Sequence, residues 1–559
     1  MKIQNPVLRG FHPDPSIVRV GKDYYIATST FEWWPGVKLS HSTDLVHWED
    51  DGYILTDPGK LDLRGVGISQ GIWAPCLTWH KGIFYLAYTV VRAFYCNMYD
   101  TENYLVKSEN IHGPWSDPIP LNNFGFDPSL FHDDDGKKYM VSMVTDHRVP
   151  KKYAGRLILQ EYDDEKEKMV GPWKEIYRGD KIFLEGPHIF KRKDWYYLFC
   201  ADTGTGEGHG QTVLRSRSVW GPYEMFQADF MERKDDKEAW SILTSRHHPD
   251  ILLQKSGHCD MVETADGQWY MVHLCGRAGE GRNPSDWERT FGHPRFAGER
   301  RYPLGRETAI QKVAWTEEGW PVLEGGGTAP FAEVPAPGCR EEWPESLSHS
   351  PAGKICERDT FDSPVLRSCY QSLRIPMTKR YISLTERPGY LRMYGRSGLS
   401  SWFSQSLIAR RITEFDFSVM TALEFEPEVF KEMAGLIVMY DTDNYLYLHL
   451  TWDEEVGRCI CLLKGENRVY ENLSEPVPVK EGAVYLKAVS ENFRIRFYYG
   501  YDEENLMPIG EEINGDFMSD EACMEGWFTG SMTGICCQDL TGLGKYADFQ
   551  FFEYKTGDF

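Results

Sequence analysis

The chain has 559 residues, which is too long for one hydrophobic core and predicts at least two domains. Its net charge of −23 would repel nucleic acid and anionic lipid, whereas a neutral substrate is compatible with it. No run of about 20 apolar residues occurs, so the sequence predicts no membrane-spanning helix.

The cysteines and the N-terminus bear on the cellular compartment. The 13 cysteines are an odd number without Cys-x-x-Cys spacing, so a zinc site is not expected. Residues 1–6 contain no apolar signal core, and the first sequence repeat starts directly after them. We therefore expect free thiols and a cytoplasmic protein.

Five stretches of the chain share one layout. In each, a leading residue precedes a short strand, and a polar turn then connects that strand to an aromatic strand such as the one at 23–26. The leaders lie roughly 55 to 75 residues apart, a spacing typical of propeller blades built from short strands. The five leaders are Asp14, Trp73, Asp127, Glu185 and His258.

The composition changes after the fifth unit. Residues 325–355 are rich in Pro, Gly, Ser and Glu and predict a linker. Beyond them, strands alternate without a leader, as at 445–451 and 493–499, which is typical of a β-sandwich. The sequence therefore predicts an all-β protein with a five-bladed β-propeller over residues 1–324 and a β-sandwich over residues 356–559.

Three of the leaders are carboxylates, and the innermost strand of a propeller blade runs along the central channel. We therefore expect Asp14, Asp127 and Glu185 to meet in one small space at the channel mouth. Like charges and burial raise the pKa of one carboxyl in such a cluster, so that it stays protonated. Glycoside hydrolysis needs this combination, with a protonated carboxyl for the leaving oxygen and an ionised one that activates water or attacks carbon.

Five segments resemble glycoside hydrolase family 43 and its β-xylosidase branch. They are the opening run 5–16, the motifs at 126–129 and 184–188, the Leu-Gly-Arg-Glu-Thr motif at 304–308, and the segment 390–396 of the predicted sandwich. They follow one another in the family's order over nearly the whole chain. The resemblance implies a five-bladed propeller with an inverting mechanism and no required cofactor.

The resemblance also implies roles for individual residues. Asp14 resembles the general base that activates water, and Glu185 resembles the general acid that protonates the departing sugar. Asp127 resembles the residue that orients this acid and tunes its pKa. Arg306 resembles a guanidinium that contacts the terminal sugar and the carboxylates.

Further residues resemble the walls of the terminal-sugar subsite. Phe31 and Trp73 look like its aromatic walls, Thr205 is a further contact, and His248 is an additional pocket candidate. His258 occupies the fifth leader position, where some relatives hold a calcium ion through a His and waters. A hydrogen-bonded core histidine is the alternative interpretation of His258.

The chain departs from the family pattern at two places. In the β-xylosidase branch a sandwich loop brings an aromatic side chain into the pocket, and the matching stretch 528–534 has Met532 where Phe is expected. Met packs adaptably but stacks less well on a sugar. The segment 278–301 is longer than expected and highly charged, which predicts an exposed loop near the channel mouth.

These residues predict an exo-acting, inverting glycosidase that removes a terminal pentose from short plant-derived xylo- or arabino-oligosaccharides. β-D-Xylose is the first expectation, and α-L-arabinofuranose is the alternative or a second activity. A non-catalytic sugar-binding propeller is a rival, although a lectin has no use for a paired acid and base. A sialidase-type propeller would need an arginine cluster, and the turn at 42–48 resembles an Asp-box only loosely. Exposed edges of the sandwich favour a homo-oligomer.

Overall fold

The protein is described by a computed structural model that covers residues 1–94, 98–148, 156–178, 183–227, 240–279, 300–339 and 354–557. Within these ranges the regular secondary structure is almost entirely strand, and its one helical element is the 3-10 turn Gly515–Phe517. The prediction of an all-β fold is therefore confirmed. None of the described elements is a helix long and apolar enough to cross a membrane.

The first three blades of the propeller are four-stranded antiparallel sheets. Blade one contains β2 (Ser16–Val20), β3 (Asp23–Thr28), β5 (Gly36–Ser42) and β6 (Glu49–Leu55). Two short strands in this region lie outside the blade: β1 (Lys2–Gln4) and β4 (Trp33–Trp34). Blade two contains β7 (Gly71–His80), β8 (Ile83–Ala93), β9 (Asp100–Ser108) and β10 (Ile119–Pro120). Blade three contains β11 (Ser129–His132), β12 (Lys138–Met143), β13 (Arg156–Asp163) and β14 (Lys168–Arg178).

The last two blades complete the ring. Blade four contains β15 (Leu184–Arg192), β16 (Trp195–Asp202), β17 (Gly210–Ser216), β18 (Glu224–Met225) and the added β19 (Ser241–Thr244), which pairs with β17. Blade five contains β20 (Gln254–Glu263), β21 (Trp269–Gly276), β22 (Glu307–Trp315) and β23 (Pro321–Leu323). The five predicted units thus correspond to five sheets. Asp14 and Asp127 lie two residues before the first strand of their blade, whereas Trp73, Glu185 and His258 lie within it.

Side chains on the five inner strands join neighbouring blades around the axis. Ser16 Oγ donates to Asp260 Oδ2 at 2.7 Å, Cys76 Sγ lies 3.3 Å from Ser129 Oγ, and Ser129 Oγ lies 3.2 Å from His188 Nδ1. Each of these five buried residues follows the leader of its blade by two or three positions. Because the ring of contacts fixes the blades in register, it also fixes where the five leaders emerge.

The start of the predicted linker differs from the expectation. Residues 333–335 form β24 (Glu333–Pro335), which pairs with β1, so that Ile3 faces Val334. Val334 is fully buried, because its side chain belongs to a core between blade one and blade five. The chain therefore leaves the propeller after this strand, and residues 340–353 of the predicted linker lie outside the described residues.

The C-terminal domain is a β-sandwich of two antiparallel sheets. The first sheet contains β25 (Cys356–Asp359), β27 (Ile382–Ser383), β28 (Leu391–Tyr394), β30 (Phe417–Glu424), β36 (Val484–Glu491), β37 (Arg494–Gly500), β38 (Leu506–Asn514) and β40 (Tyr546–Thr556). The second contains β29 (Ser406–Arg411), β31 (Glu432–Met439), β32 (Tyr445–Asp453), β33 (Gly457–Glu466), β34 (Val469–Asn472), β35 (Val477–Pro478) and β39 (Met532–Asp539).

The sandwich packs directly on the propeller. Strand β26 (Ser372–Leu373) pairs with β4 of the propeller. Nearby, the buried Arg277 of blade five forms ion pairs with Glu307 at 2.8 Å and with Glu414 of the sandwich at 2.7 Å. These contacts place one edge of the sandwich beside the mouth of the propeller channel.

Candidate active site

All five leaders line one cavity of about 460 Å³ at the channel mouth. The propeller supplies most of its walls, and the sandwich supplies Trp527 and Phe528. The remaining lining residues are Phe31, Ala74, Tyr99, Phe126, Phe183, Thr203, Gly204, Thr205, Gly206 and Arg306. The structure therefore brings together residues that are separated by up to about 500 positions in the chain.

A left-handed backbone conformation recurs at the leaders. Asp14, Asp127 and His258 have φ angles of 54°, 55° and 55°. In blade four Gly186, which follows the leader Glu185, has a φ of 54°. Asp tolerates this conformation better than most residues, whereas glycine adopts it without strain.

The geometry around Asp14 keeps its carboxyl ionised. Arg306 Nη1 lies 2.5 Å from Asp14 Oδ1, Ser29 Oγ donates to Oδ2 at 2.7 Å, and His258 Nδ1 lies 3.5 Å from Oδ1. Burial alone would raise the pKa of Asp14, but these three partners together hold it well below its usual range. Asp14 is therefore available to accept a proton.

The pKa values of Glu185 and Asp127 are raised, in contrast to that of Asp14. Burial, with the nearby charge of Asp127, raises the pKa of Glu185 to about 7. Burial, with the charge of Asp14, raises the pKa of Asp127 to about 6. Asp127 Oδ2 also accepts a hydrogen bond from the backbone N–H of Gly186 at 2.8 Å. Glu185 is thus suited to carry the proton that Asp14 lacks.

His258 lies between the carboxylates. Burial lowers its pKa, but the charges of Asp14, Asp127 and Glu185 raise it above its ordinary value. Its ring packs on Gly186, where an added Cβ would lie 2.5 Å from His258 Nε2. Any larger residue at this position would therefore displace the ring.

The protein side chains around His258 do not by themselves form a calcium site. Calcium takes six to eight oxygen ligands, whereas His258 would offer one nitrogen. In the ranges that the structure covers, no group of three or more His, Cys, Asp or Glu side chains is arranged to hold a metal ion. The ring nitrogen of His258 instead faces Asp14.

Aromatic side chains form one wall of the cavity. The rings of Phe31 and Phe528 stack with centroids 6.1 Å apart, and Trp73 meets Phe528 edge to face at 5.3 Å. The Arg306 guanidinium lies over Phe31 and Phe528 at 5.4 and 5.5 Å. Flat apolar faces beside a few polar groups are typical of sugar sites, and Thr205 adds a hydroxyl.

Two candidates from the sequence do not line the cavity. Met532 is the first residue of β39 and is fully buried, because its strand lies inside the second sheet of the sandwich. His248 ends a turn in which its N–H donates to Ser245 O at 2.8 Å, before the inner strand of blade five begins. The predicted loop 278–301 is described only at its two ends, since residues 280–299 lie outside the described residues.

The aromatic residues that the sandwich contributes are Trp527 and Phe528, and Phe528 lies four positions before Met532. Its N–H donates to Ser69 Oγ at 3.2 Å and its carbonyl accepts from Arg306 Nη2 at 3.1 Å. Sequence reasoning also missed Tyr99, Phe126 and Phe183. Phe126 carried a usable signal, since it directly precedes the leader Asp127.

Comparison with known proteins identifies both domains. Residues 3–321 match the model of glycosyl hydrolases family 43, and residues 358–555 match that of a beta xylosidase C-terminal concanavalin A-like domain. The chain belongs to glycoside hydrolase family 43. The resemblance seen in the sequence is therefore confirmed.

Full-length relatives of this family-43 protein cover both domains. A beta-xylosidase of Bacillus subtilis is 40% identical over 99% of the chain and 100% of its own length. A xylosidase/arabinosidase 43B of Humicola insolens is 41% identical over 99% and 98%. The crystal structure of a xylan beta-1,4-xylosidase from Bacillus halodurans C-125 is 46% identical, covers 99% and 100%, and superimposes with a TM-score of 0.88.

As a glycoside hydrolase, the protein needs two carboxyl groups that flank the scissile bond, one protonated and one ionised. The site offers an ionised Asp14 held by Arg306 and a Glu185 whose pKa of about 7 keeps it protonated below neutral pH. The two carboxyls differ in protonation because, among the described residues, a cation is in direct contact with Asp14 but not with Glu185. The arrangement can therefore activate water at one position and protonate a leaving oxygen at another.

Proposed function

We propose that the protein is an exo-acting β-xylosidase that releases terminal D-xylose from short xylo-oligosaccharides with inversion of configuration. The observation that carries this proposal is the convergence of Asp14, Asp127 and Glu185 in one cavity with divergent pKa values. The names of the Bacillus relatives support β-xylosides as the substrate class. The cavity of about 460 Å³ matches the removal of single sugars rather than the binding of a long chain.

In the proposed reaction a water molecule donates a proton to Asp14 and attacks the anomeric carbon. Glu185 donates its proton to the glycosidic oxygen as the bond to that oxygen breaks. Asp127 holds the backbone of Gly186 and keeps the pKa of Glu185 high. The aromatic wall and Arg306 hold the sugar in place.

Glu185→Gln tests the acid role. We expect kcat/KM for xylobiose to fall by about 10²–10⁴-fold, the usual contribution of general acid catalysis. Nitrophenyl β-xyloside should lose much less, because its leaving group departs without a proton. Glu109→Gln, at an exposed position, is the matched control and should leave both substrates unaffected. Equal losses on the two substrates would contradict the role.

Proton NMR of the product tests the stereochemistry. Inversion of a β-xyloside yields α-xylose as the first-formed anomer, before mutarotation mixes the two. If β-xylose appears first, the reaction retains configuration, and the Asp14 carboxylate rather than water must attack the anomeric carbon.

An α-L-arabinofuranosidase activity is the second candidate, as an alternative or a side activity. It is favoured by the name of the Humicola insolens relative, which combines both substrates. Parallel assays with nitrophenyl β-xyloside and α-arabinofuranoside give the ratio of the two kcat/KM values. If neither compound is cleaved, the assignment of a pentosidase is wrong.

We also propose that hydrolysis takes place in the cytoplasm on imported oligosaccharides and that the protein forms homo-oligomers. The described cysteines are all free, which fits a reducing compartment. The exposed edge strand β34 could pair with a second copy. Cell fractionation and light scattering in solution test the two proposals.

A further inference from the structure

A buried lysine in blade five takes no part in the mechanism described above. Lys255 lies on the inner strand, three residues before the leader His258, and its side chain is 2% exposed. Its backbone adopts a φ of 52°, a conformation that lysine rarely enters. A fully desolvated ammonium in a strained position requires strong compensating contacts.

These contacts come from the sandwich. Lys255 Nζ forms an ion pair with Glu521 Oε1, and Asp520 Oδ2 lies 3.5 Å away. The ammonium also lies 4.1 Å from the ring centre of Tyr302. Glu521 and Asp520 are both buried, so the charges of the two domains meet with little solvent between them.

Two routes lead from Glu521 to Arg306, one through the propeller backbone and one through the sandwich. Glu521 Oε2 accepts from the backbone N–H of Tyr302 at 3.1 Å, and the turn Tyr302–Gly305, closed by a 3.0 Å hydrogen bond, leads directly into Arg306. In the sandwich, Glu521 precedes Phe528 by seven residues, and the Phe528 carbonyl accepts from Arg306. Glu521 therefore bonds directly to the backbone before Arg306, and it belongs to the same segment of the sandwich as the carbonyl that accepts from Arg306 Nη2.

Another part of the cavity lining is joined to Tyr302. Tyr302 Oη donates to Glu207 Oε1 at 2.9 Å. Glu207 directly follows the cavity-lining segment 203–206 of blade four. Tyr302 thus contacts Lys255 through its ring and the residue after this cavity-lining segment through its hydroxyl.

We propose that Lys255 is a positioning residue whose buried ion pair with Glu521 holds the sandwich against the propeller, so that Arg306 and Phe528 keep their places in the active site. The proposal rests on the proposed glycosidase function. In this proposal the interdomain ion pair determines the position of Arg306, the residue that keeps Asp14 ionised.

Lys255→Met tests the proposal, because methionine is similar in length but carries no charge. A displacement of about 1 Å at a reacting group costs up to about 10²-fold, so we expect kcat/KM for nitrophenyl β-xyloside to fall by about tenfold or more. The pKa of Asp14 should rise when Arg306 withdraws. Since the base must be ionised, the acidic limb of the pH profile of kcat/KM should move to higher pH.

A second variant separates positioning from stability. Lys255→Met alone leaves Glu521 buried without its cation, whereas Lys255→Met with Glu521→Gln removes both charges and should unfold at a higher temperature than the single variant. We expect the shifted acidic limb to persist in this double variant. Arg458→Met is the control, since the described contacts of this buried guanidinium all lie within the sandwich. It donates to the carbonyls of Phe425 and Gly482 at 2.9 Å and to that of Lys480, and it lies 3.3 Å from Glu426. This control should lower stability and leave the pH profile unchanged.

Amide hydrogen exchange at residues 302–306 gives a readout that needs no activity. Faster exchange there in the double variant, but not in Arg458→Met, supports the proposal. Wild-type exchange at this segment, together with a wild-type acidic limb and a kcat/KM within twofold, would overturn it. A wild-type protein without pentosidase activity would overturn the proposed function instead, and the exchange measurement would still decide the role of Lys255.

Discussion

Two carboxyl groups of this site differ in proton affinity because their neighbours differ. Asp14 has a guanidinium at 2.5 Å and a serine hydroxyl at 2.7 Å, so that its ionised form is favoured despite burial. Burial, together with the negative charge of the neighbouring Asp127, raises the pKa of Glu185 to about 7. Charges on two other residues, Arg306 and Asp127, therefore contribute to the difference in pKa between the base and the acid. The effect of each charge should be measurable through the pH dependence of kcat/KM.

Asp127→Asn should move the basic limb of the pH profile to lower pH. The negative charge of Asp127 raises the pKa of Glu185, so removal of this charge lets Glu185 lose its proton earlier. The basic limb, which we expect near pH 7 in the wild type, is measured from kcat/KM for xylobiose. Asp133→Asn is the matched control, because Asp133 is also buried in blade three but pairs with Lys191 at 2.6 Å. An unmoved limb in Asp127→Asn would show that the two carboxyls are not coupled.

The three carboxylates could be predicted from the sequence because each stands in a local motif at a fixed place in its repeat. Phe528 could not be located in the same way. The stretch 528–534 contains both the loop that enters the cavity and the start of β39, and only the structure shows that the strand begins at Met532. A residue within a sandwich strand is buried between sheets, so the cavity side chain had to come from the residues before it.

At the scale of structural elements, turns that contain residues in the left-handed backbone conformation position the side chains of the active site. The turn 302–305 is an example, since Gly305 has a φ of 73° and an added Cβ would lie 2.4 Å from the carbonyl oxygen of Thr529. The sequence marks such turns through glycine, but it does not show which backbone approaches. The close contact between blade five and the sandwich therefore appears only in the structure.

Gly305→Ala should weaken both the fold and the activity. The added methyl group meets backbone atoms that cannot move independently, and the φ angle adds strain, so we expect a loss of about 1–3 kcal/mol in the free energy of unfolding. Arg306 should shift with the turn and lower kcat/KM. Gly21→Ala is the matched control, because Gly21 has a φ of 65° with no atom within 4 Å of an added Cβ. Urea unfolding and kcat/KM are measured for both variants, and the difference between them gives the steric effect at Gly305. Equal results for the two variants would show that this steric effect is absent.

The start of the predicted linker shows where composition misleads. Residues 325–335 are rich in Gly and Pro, yet Val334 pairs with Ile3 and is fully buried. A three-residue strand gives no periodic signal, and its partner lies about 330 residues earlier in the chain. The propeller is therefore closed by a contact that only the folded chain reveals.

At the scale of the whole molecule, buried acids lie on both sides of the domain interface. Burial raises the pKa of Glu32 in the propeller to about 7, although Arg374 of the sandwich partly offsets it. Burial and Asp443 raise the pKa of Asp441 in the sandwich to about 8, and Glu32 contributes to this shift. Both groups are ionised more easily in the unfolded chain, so each opposes the folded state as the pH rises.

Glu32→Gln should therefore stabilise the protein at pH 8 and not at pH 4.5. Between its ordinary pKa of 4.5 and the folded pKa of about 7, unfolded Glu32 has lost a proton that the folded protein retains, so the free energy of unfolding falls through this window. Removing the acid should restore up to roughly 3 kcal/mol at pH 8, since one pKa unit corresponds to about 1.4 kcal/mol. Glutamine can still accept the 3.1 Å hydrogen bond from Ser69 N–H. Urea unfolding at the two pH values measures the difference, with Glu471→Gln in the exposed strand β34 as the control. An equal effect of Glu32→Gln at both pH values would mean that Glu32 is ionised in the folded protein and that Arg374 outweighs burial at this interface.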